Sequence, residues 1–395
     1  MIVKNEEDCI ARCLESVKDI VDEIIIVDTG SSDHTIEICK SFGADIHYFP
    51  WNGNFSEARN FGINLATGDW ILWLDADEEV DKHERLMLRD LLYTESFDIL
   101  ALHLINFYGE TVDHDKVIEI GHYRLFRSGL GIQFVNRIHE VLQSPEHLKL
   151  REKGRIGFTD LKLYHYGYMN QTVVKKNKHE RNLELLEQEL KEGNGNAWTH
   201  YYIAAEYNQM QKYKEAFAHA NLSIYEFLKA GHVPPPSILY KLKYSILIST
   251  GSLDGALPGI EKAVALYPDY VELRYQMGTI LYFKEEYAKA AEVFAECILM
   301  GEDNLTHLIT KGVGSFHSWY FKGLCLKKLN KKTEEALCYL NALTMSETYA
   351  PALNALIDLV HEGEFTVEEC IEKGFQNNTG KGLPSSIKAL IEKNR

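Results

Sequence analysis

Two aspartates at the end of an apolar segment are the first residues with an evident chemistry. Asp75 and Asp77 directly follow the segment from Trp70 to Leu74. Residues two apart on an extended chain face the same way, so both carboxylates are expected to point into one crevice. Paired carboxylates in such a place bind a hard divalent cation, Mg²⁺ or Mn²⁺, together with substrate phosphates. Three further acidic residues are expected on the solvated first turn of a following helix: Glu78, Glu79 and Asp81.

A polar turn and a helical arginine are candidates for binding a nucleotide. The turn Asp28-Thr-Gly-Ser-Ser-Asp33 follows a run of β-branched residues. Its Gly30 permits a tight bend, while Asp28 and the hydroxyls suit a nucleobase or a ribose. Arg59 lies in a predicted helix from which it could reach a diphosphate. A plain strand-to-helix turn and an exposed helical arginine are the alternatives on local evidence.

Strands and helices alternate as far as about residue 130, and these elements must position the polar residues. The apolar pattern predicts strands over 23–28, 44–49 and 70–75, and helices over 35–40 and 56–66. This alternation is typical of a parallel sheet that carries helices on both faces. Ligands of such sheets bind beyond the carboxyl ends of the strands, where the polar residues above are found.

From about residue 196 the strand pattern disappears and a helical repeat replaces it. Four alanines begin the second helix of successive units: Ala216, Ala256, Ala290 and Ala336. The spacing of Ala256 and Ala290 equals the tetratricopeptide period of about 34 residues. These units resemble degenerate tetratricopeptide repeats, with an ordinary helical bundle as the alternative. Thr366-Val-Glu-Glu369 is predicted to open a terminal helix that caps the stack.

Composition narrows the class of protein. The chain has 395 residues, is 45% hydrophobic and carries a formal charge of -16. Such a charge argues against a nucleic-acid-binding protein, which needs a basic face. No apolar stretch has the length of a membrane span, and seven scattered cysteines do not form a disulfide framework. We therefore expect a cytoplasmic protein.

Four motifs in order give the chain a family resemblance. They are Met1-Ile-Val-Lys-Asn-Glu-Glu7, Val27-Asp-Thr-Gly-Ser-Ser-Asp-His-Thr35, Glu57-Ala-Arg-Asn60 and Leu74-Asp-Ala-Asp77. Together they resemble the family 2 glycosyltransferases of the GT-A fold. The resemblance implies an inverting, metal-dependent transferase that uses a nucleotide-diphosphate sugar, commonly UDP-linked. The chain departs from the family at its first strand, because family members usually have several more residues before the segment that matches Met1-Ile-Val3.

The resemblance also implies roles for individual residues and a domain plan. The donor nucleotide would contact Val3, Asn5, Glu6, Asp28, Arg59, Asp75 and Ala76, and Asp77 would hold the metal. We expect an α/β GT-A domain over 1–170 with a mixed, mostly parallel sheet. A linker helix over 171–195 and an all-α tetratricopeptide-like domain over 196–395 would follow.

Later motifs suggest the acceptor chemistry. Three later motifs and the repeats that follow them make the chain similar to bacterial peptide glycosyltransferases such as the sublancin S-glycosyltransferase group. The motifs are Arg124-Leu-Phe-Arg127, Asn136-Arg-Ile-His-Glu140 and Leu163-Tyr-His-Tyr-Gly-Tyr168. Either His139 or Glu140 could be the base, and His165 could complete the metal site. Arg124 and Arg127 could assist at the diphosphate or form structural ion pairs. The basic run Lys175–Lys178 is expected to be a solvated face.

The acceptor is left open by the sequence. A repeat stack offers an extended surface suited to a peptide, so we expect transfer of a glucose-type sugar to Ser, Thr or Cys. Alternatively the repeats form a homodimer, and the acceptor is an envelope glycan or a lipid-linked saccharide. An inactive repeat scaffold is the hypothesis from a different class.

Overall fold

The computed structural model describes residues 1–93, 96–143, 153–175 and 178–361. Its contacts divide it into two compact units, Met1–Lys212 and Tyr213–Arg395. The first unit is an α/β domain followed by three helices, and the second is built from paired helices. The predicted fold class, an α/β domain followed by an all-α repeat domain, is therefore confirmed.

A three-stranded parallel sheet opens the first unit. Its strands lie in the order β1 (Ile2–Val3), β2 (Ile25–Asp28) and β3 (Asp45–Tyr48). The helices that alternate with them are α1 (Ile10–Val17), α2 (Thr35–Ser41) and α3 (Phe55–Leu65). Apolar residues of β1, β2 and α1 form a buried core with Ala76. The strand-helix alternation predicted for this region is present, and the central strand β2 is the most deeply buried of the three.

A second, mixed sheet follows. Its strands are β4 (Trp70–Leu72), β5 (Glu78–Val80), β6 (Ile99–Gly109), β7 (Val117–Arg127) and β10 (Ile156–Met169). Within the first unit they lie in the order β7-β6-β10-β5, with β4 on β7. Only β6 and β10 run parallel among these strands. The strand that we expected to join the parallel sheet, β4, instead pairs antiparallel with the edge of β7.

The acidic run after β4 differs from its prediction. Glu78 and Glu79 lie in β5, which pairs antiparallel with β10. Glu78 is fully buried, so the solvated helical turn predicted for this run is wrong. The next helix, α4, begins later and spans Met87–Leu92. A charged residue is buried here because Arg124 of β7 pairs with it, and composition alone does not indicate that partner.

Two short strands and three helices complete the first unit. The strands β8 (Gln133–Val135) and β9 (Val141–Gln143) form a hairpin. The helices are α5 (Asn170–Lys175), α6 (Lys178–Lys191) and α7 (Ala197–Gln209). Ile138, Leu186 and Ile203 form one apolar cluster from the hairpin, α6 and α7. The helix α7, which we had assigned to the repeats, thus packs within the first unit.

The second unit consists of helices that pair as the repeat pattern predicts. They are α8 (Tyr213–Lys229), α9 (Ser237–Ser249), α10 (Ala256–Leu266), α11 (Val271–Phe283), α12 (Tyr287–Met300), α13 (Phe316–Lys328), α14 (Lys332–Met345) and α15 (Ala350–His361), with a short strand β11 (Ile309–Thr310). Ala216, Ala290 and Ala336 are completely buried. A Cβ on Gly278 would lie 2.9 Å from the ring of Phe294. Small residues therefore stand where paired helices approach most closely.

Two further predictions concern membrane-spanning helices and the terminal capping helix. None of the helices in the described ranges has the length and apolar character needed to cross a membrane. The capping helix predicted from Thr366-Val-Glu-Glu369 lies outside the described residues.

Candidate functional site

The loops after β1 and β2 are joined by hydrogen bonds at one edge of the parallel sheet. Asn5 has a positive φ of 56° and accepts a hydrogen bond from the Ser32 amide at 2.7 Å. The Glu6 amide donates to the Thr35 hydroxyl at 2.7 Å. The carbonyl of Val3 accepts from the Thr29 amide at 3.0 Å. The structure thus brings together the three first-motif residues predicted to contact the nucleotide.

Asp28 and Ala76 have fixed positions beside these loops. Oδ1 of Asp28 accepts from the Ser31 amide at 2.9 Å, which closes the turn. The Ala76 side chain is buried in the core with Val3. Because Ala76 points into the core, the flanking carboxylates of Asp75 and Asp77 point away from it.

Arg59 joins two carboxylates from distant parts of the chain. Its Nη2 donates to Asp75 Oδ1 at 2.7 Å, and its Nε donates to Glu140 Oε1 at 2.9 Å. Burial alone would raise the pKa of Asp75, but the charges of Arg59 and Arg124 outweigh it and lower that pKa to about 2. Burial alone would lower the pKa of Arg59, and the two carboxylates reverse that effect. The guanidinium therefore holds the Asp75 and Glu140 carboxylates in a fixed relation.

The two arginines of β7 have different surroundings. Arg124 pairs with buried Glu78, lies 3.9 Å from Asp75 Oδ2 and stacks 3.7 Å above the Trp73 ring. Arg127 instead pairs with Asp98 at 3.3 Å and lies over Trp70. Residues three apart on a strand face opposite sides, so only one of the two can reach the site. The structure brings Arg124 to the site and leaves Arg127 outside it.

Asp77 and His165 are the residues best placed for a metal ion. Asp77 Oδ1 lies 3.5 Å from His165 Nε2. His165 Nδ1 is 2.8 Å from the side-chain oxygen of Asn106, which fits a proton on Nδ1 and a lone pair on Nε2. The Asn106 amide donates to the Ile118 carbonyl at 3.0 Å, which fixes its orientation. Imidazole and carboxylate together fit a divalent cation such as Mn²⁺.

The protein supplies only part of a coordination shell at this point. Across the described ranges there is no group of three or more His, Cys, Asp or Glu side chains arranged to hold a metal. Mg²⁺ and Mn²⁺ sites of phosphate-handling enzymes commonly use few protein ligands and complete the shell with substrate oxygens and water. Asp77 and His165 therefore fit a cation that binds together with a diphosphate, and their metal role stays a prediction.

The segment that carries His139 and Glu140 is held by the start of α3. The Phe55 amide donates to the Arg137 carbonyl at 2.9 Å, and the Ser56 hydroxyl donates to the Asn136 carbonyl at 2.5 Å. Asn136 and His139 both have positive φ, 75° and 53°. Positive φ is uncommon for such residues, so the surrounding contacts must enforce this backbone.

His139 and Glu140 point to different surroundings. The His139 ring stacks on Tyr202 of α7 with centroids 4.0 Å apart and planes inclined by 11°. Its Nε2 is buried and lies 3.8 Å from Glu206 Oε1. Glu140 contacts Arg59 instead. Of the two residues, Glu140 belongs to the cluster around Asp75 and His139 to the helices behind it.

Comparison with known proteins agrees with this geometry. Residues 1–149 match the family model described as glycosyl transferase family 2. The N-terminal domain is a family 2 glycosyltransferase domain. The matched range includes Arg59, Asp75, Asp77 and Glu140, whereas His165 lies beyond it.

Two sequence relatives align over more of the chain than the family model does. A TPR repeat-containing protein of Synechococcus elongatus is 32% identical over 270 residues, 67% of this chain and 64% of that protein. The SPbeta prophage-derived glycosyltransferase SunS of Bacillus subtilis is 30% identical over 232 residues, 58% of this chain and 53% of that protein. The crystal structure of YrrB, a TPR protein, aligns with a TM-score of 0.36 and 19% identity over 47% of this chain and 87% of that one. The chain thus spans less than two-thirds of these two sequence relatives.

Several residues beside the glycosyltransferase site were missed by sequence reasoning. Glu206 of α7 is buried and accepts hydrogen bonds from His179 at 2.7 Å and Asn182 at 2.8 Å. The nearby His139 ring and these two hydrogen bonds outweigh burial and lower the pKa of Glu206. The sequence could have indicated this residue, because a glutamate in the same helix as Ile203 and Ala204 lies among apolar residues. A buried charge needs a partner, and the partners of Glu206 lie on other elements.

The basic run Lys175–Lys178 also requires a correction. We expected a solvated face, but the Lys178 side chain is only 18% exposed. Its Nζ donates to the Gly167 carbonyl at 2.9 Å and lies 3.7 Å from Asp77 Oδ2. The side chains of residues 173–177 lie outside the described part of the chain, so the departure from a solvated face is established for Lys178.

Position 167 must be a glycine because the side chains of Asp77, His165 and Lys178 come too close to it to leave room for a Cβ. A Cβ at this position would lie 2.4 Å from His165 Nε2, 2.7 Å from Asp77 Oδ2 and 2.9 Å from Lys178 Nζ. We expect Gly167→Ala to weaken Mn²⁺ binding in the presence of UDP by about tenfold to a hundredfold. Electron paramagnetic resonance of free Mn²⁺ measures this effect.

A glycine outside the site provides the control for this variant. Gly68→Ala should leave Mn²⁺ affinity unchanged, because its Cβ would meet no atom closer than 3.4 Å. Equal affinities for the wild type and Gly167→Ala would contradict the metal assignment of Asp77 and His165.

Proposed function

We propose that the chain is an inverting, metal-dependent glycosyltransferase that moves a sugar from a UDP-sugar to an acceptor. The observation that carries this proposal is the Arg59 bridge, which holds Asp75 and Glu140 together. The first carboxylate follows the sheet edge where the donor would bind. The second lies on the segment expected to face the acceptor.

Glu140 is our candidate for the base. An inverting transfer needs a group that takes the acceptor proton while the acceptor attacks the far side of the anomeric carbon. Glu140 lies in the cluster with Asp75, whereas Nε2 of His139 is buried against α7. His139 then acts as a positioning residue, because its stacking on Tyr202 fixes the backbone that carries Glu140.

The remaining residues would bind and orient the donor. Asp28 would contact the base or ribose, and Asp75 would contact the ribose, beside the joined loops of Val3, Asn5 and Glu6. Asp77 and His165 would hold Mg²⁺ or Mn²⁺, which when bound neutralises charge on the leaving diphosphate. The charges of Arg59 and Arg124 keep the pKa of Asp75 low, which favours its ionised form.

Calorimetric titration of a UDP-sugar panel tests this function. Titrations of UDP-glucose, UDP-galactose and their N-acetyl forms with MnCl₂ and with chelator are the essential comparison. Metal-dependent binding of one of them supports the proposal and names the donor. Binding of none of these compounds, and of no GDP- or dTDP-sugar, would reject the transferase and favour the scaffold hypothesis.

A peptide or protein acceptor is the second part of the proposal. Stacked helix pairs present an extended surface, and the helices of the second unit are of this kind. A cysteine thiol, with an ordinary pKa of about 8.5, would demand less of Glu140 than a serine hydroxyl would. The alternative acceptor, a glycan or lipid-linked saccharide, would leave the repeats free to form a homodimer.

Two truncations separate catalysis from acceptor capture. A chain ending at Lys212 keeps the whole first unit, so we expect it to hydrolyse the donor at the full-length rate and to lose acceptor modification. A chain ending at 195 lacks Tyr202 and Glu206, so its donor hydrolysis should fall by about tenfold or more, as expected when a supporting shell is removed.

Chromatography of the sugar released from the donor measures the hydrolysis rate of both truncated proteins. Circular dichroism confirms that each is folded. Normal acceptor modification by the chain ending at Lys212 would assign the repeats to assembly, and sedimentation would then show a dimer for the full-length chain alone.

A further inference from the structure

The cluster around Asp77 contains a lysine to which the glycosyltransferase reading gives no role. Lys178 begins α6, and its Nζ donates to the Gly167 carbonyl at 2.9 Å. The same Nζ lies 3.7 Å from Asp77 Oδ2, which is ion-pair distance. An ammonium group is thus held next to the carboxylate predicted to bind the metal.

The charges of the site leave a diphosphate short of positive partners. Arg59 is engaged by Asp75 and Glu140, and Arg124 is engaged by Glu78. A nucleotide diphosphate would bring further negative charge to a site that already contains these carboxylates and Asp77. A cation other than the two arginines is therefore needed beside the metal, and an ammonium group is a common phosphate ligand.

A second cation lies one helical turn further along α6. Arg181 is three residues after Lys178, and side chains at this spacing share a helix face. The guanidinium lies 5.5 Å from the Phe55 ring, at the start of the helix that carries Arg59. The Arg181 side chain is exposed, and its Nη2 donates to the side-chain oxygen of Asn182 at 2.9 Å. Arg181 therefore adds a second positive charge on the helix face that carries Lys178.

We propose that Lys178, assisted by Arg181, binds the diphosphate of the nucleotide donor, so that α6 forms the wall of the donor site opposite Asp75-Ala-Asp77. The inference rests on the proposed function, because it concerns the leaving group of that reaction. It assigns a binding role to the helix after the sheet, beyond residues 1–149 that match the family.

Substitution of Lys178 by methionine tests the proposal. Lys178→Met keeps the length of the side chain and removes its charge. The dissociation constant for UDP should rise by about tenfold to a hundredfold, both with saturating MnCl₂ and in chelator, since hydrogen bonds to charged groups contribute on this scale. The dissociation constant for uridine should not change. Lys178→Arg should retain most of the UDP affinity.

Mn²⁺ binding without nucleotide provides an independent readout. The Lys178 ammonium repels a cation at Asp77, so Lys178→Met should bind Mn²⁺ as tightly as the wild type or more tightly. Weaker UDP binding together with unimpaired Mn²⁺ binding cannot result from unfolding. The control is Lys191→Met on the same helix, where the side chain is 79% exposed and pairs with Glu187.

The outcomes separate this inference from the proposed function. Metal-dependent UDP binding by the wild type with equal UDP affinity in Lys178→Met would reject the diphosphate role and leave the transferase standing. An equal loss of UDP and uridine affinity would also reject it. If the wild type binds none of UDP, GDP and dTDP, both proposals fail.

Discussion

Glu140→Gln should lower kcat for sugar transfer by about a hundredfold to ten-thousandfold while donor binding is retained. A glutamine keeps the size of the side chain and can still contact Arg59, but it cannot take the acceptor proton. General base catalysis contributes on this scale, and removal of the base affects the chemical step rather than donor binding. Single-turnover transfer measures the rate, and calorimetry with the donor measures the binding.

The control for this variant is Glu192→Gln. Glu192 pairs with Arg137, three residues before Glu140, at 2.7 Å and outside the site cluster. It should transfer sugar at nearly the wild-type rate. An unchanged rate in Glu140→Gln would move the base role to His139 or to another residue, and His139→Gln would then be the variant with lost transfer.

Asp77→Asn is expected to have the second largest effect. The amide is neutral and a weaker ligand for a hard cation, so Mn²⁺-dependent binding of UDP should weaken by at least about a hundredfold. The substitution preserves the size of the side chain, so the thermal unfolding temperature should change little. Calorimetry with UDP in MnCl₂ and in chelator gives the metal-dependent part of the affinity.

Asp45→Asn serves as the control because the Asp45 side chain is 74% exposed on β3, where it pairs with His47. Its UDP affinity should equal that of the wild type. Full metal-dependent binding and turnover by Asp77→Asn would remove the metal role from Asp77, and with it that of His165.

The sequence was sufficient for the parts of the fold that depend on local patterns. A run of β-branched residues predicted β2, the pattern over 44–49 predicted β3, and alanine spacing predicted the paired helices of the second unit. The sequence also placed Arg59, Asp75 and Asp77 in one region, because the motifs lie at successive strand ends. The hydrogen bond between Arg59 and Glu140 was not predicted, because it joins residues far apart in the chain.

The missed features share a physical cause, which is pairing over long distances in sequence. Glu78 can be buried because Arg124, 46 residues later, supplies its counter-charge. Lys178 has a position in the site because the long strand β10 ends beside Asp77 and α6 follows. Local propensity contains no information on such pairs, and a charged run is most often solvated. The antiparallel pairing of β4 has the same origin, because its partner strand β7 lies far along the chain.

The position of α7 has a consequence for the engineering of hybrid enzymes. Its Tyr202 and Glu206 lie against His139, so the first helix of the repeat-like series supports the segment that carries His139 and Glu140. A repeat array from another protein should be grafted after Lys212 and not at the apparent start of the repeats. Grafts at the earlier point would exchange the support of the catalytic segment together with the array, and a loss of activity in such chimeras would say nothing about acceptor preference.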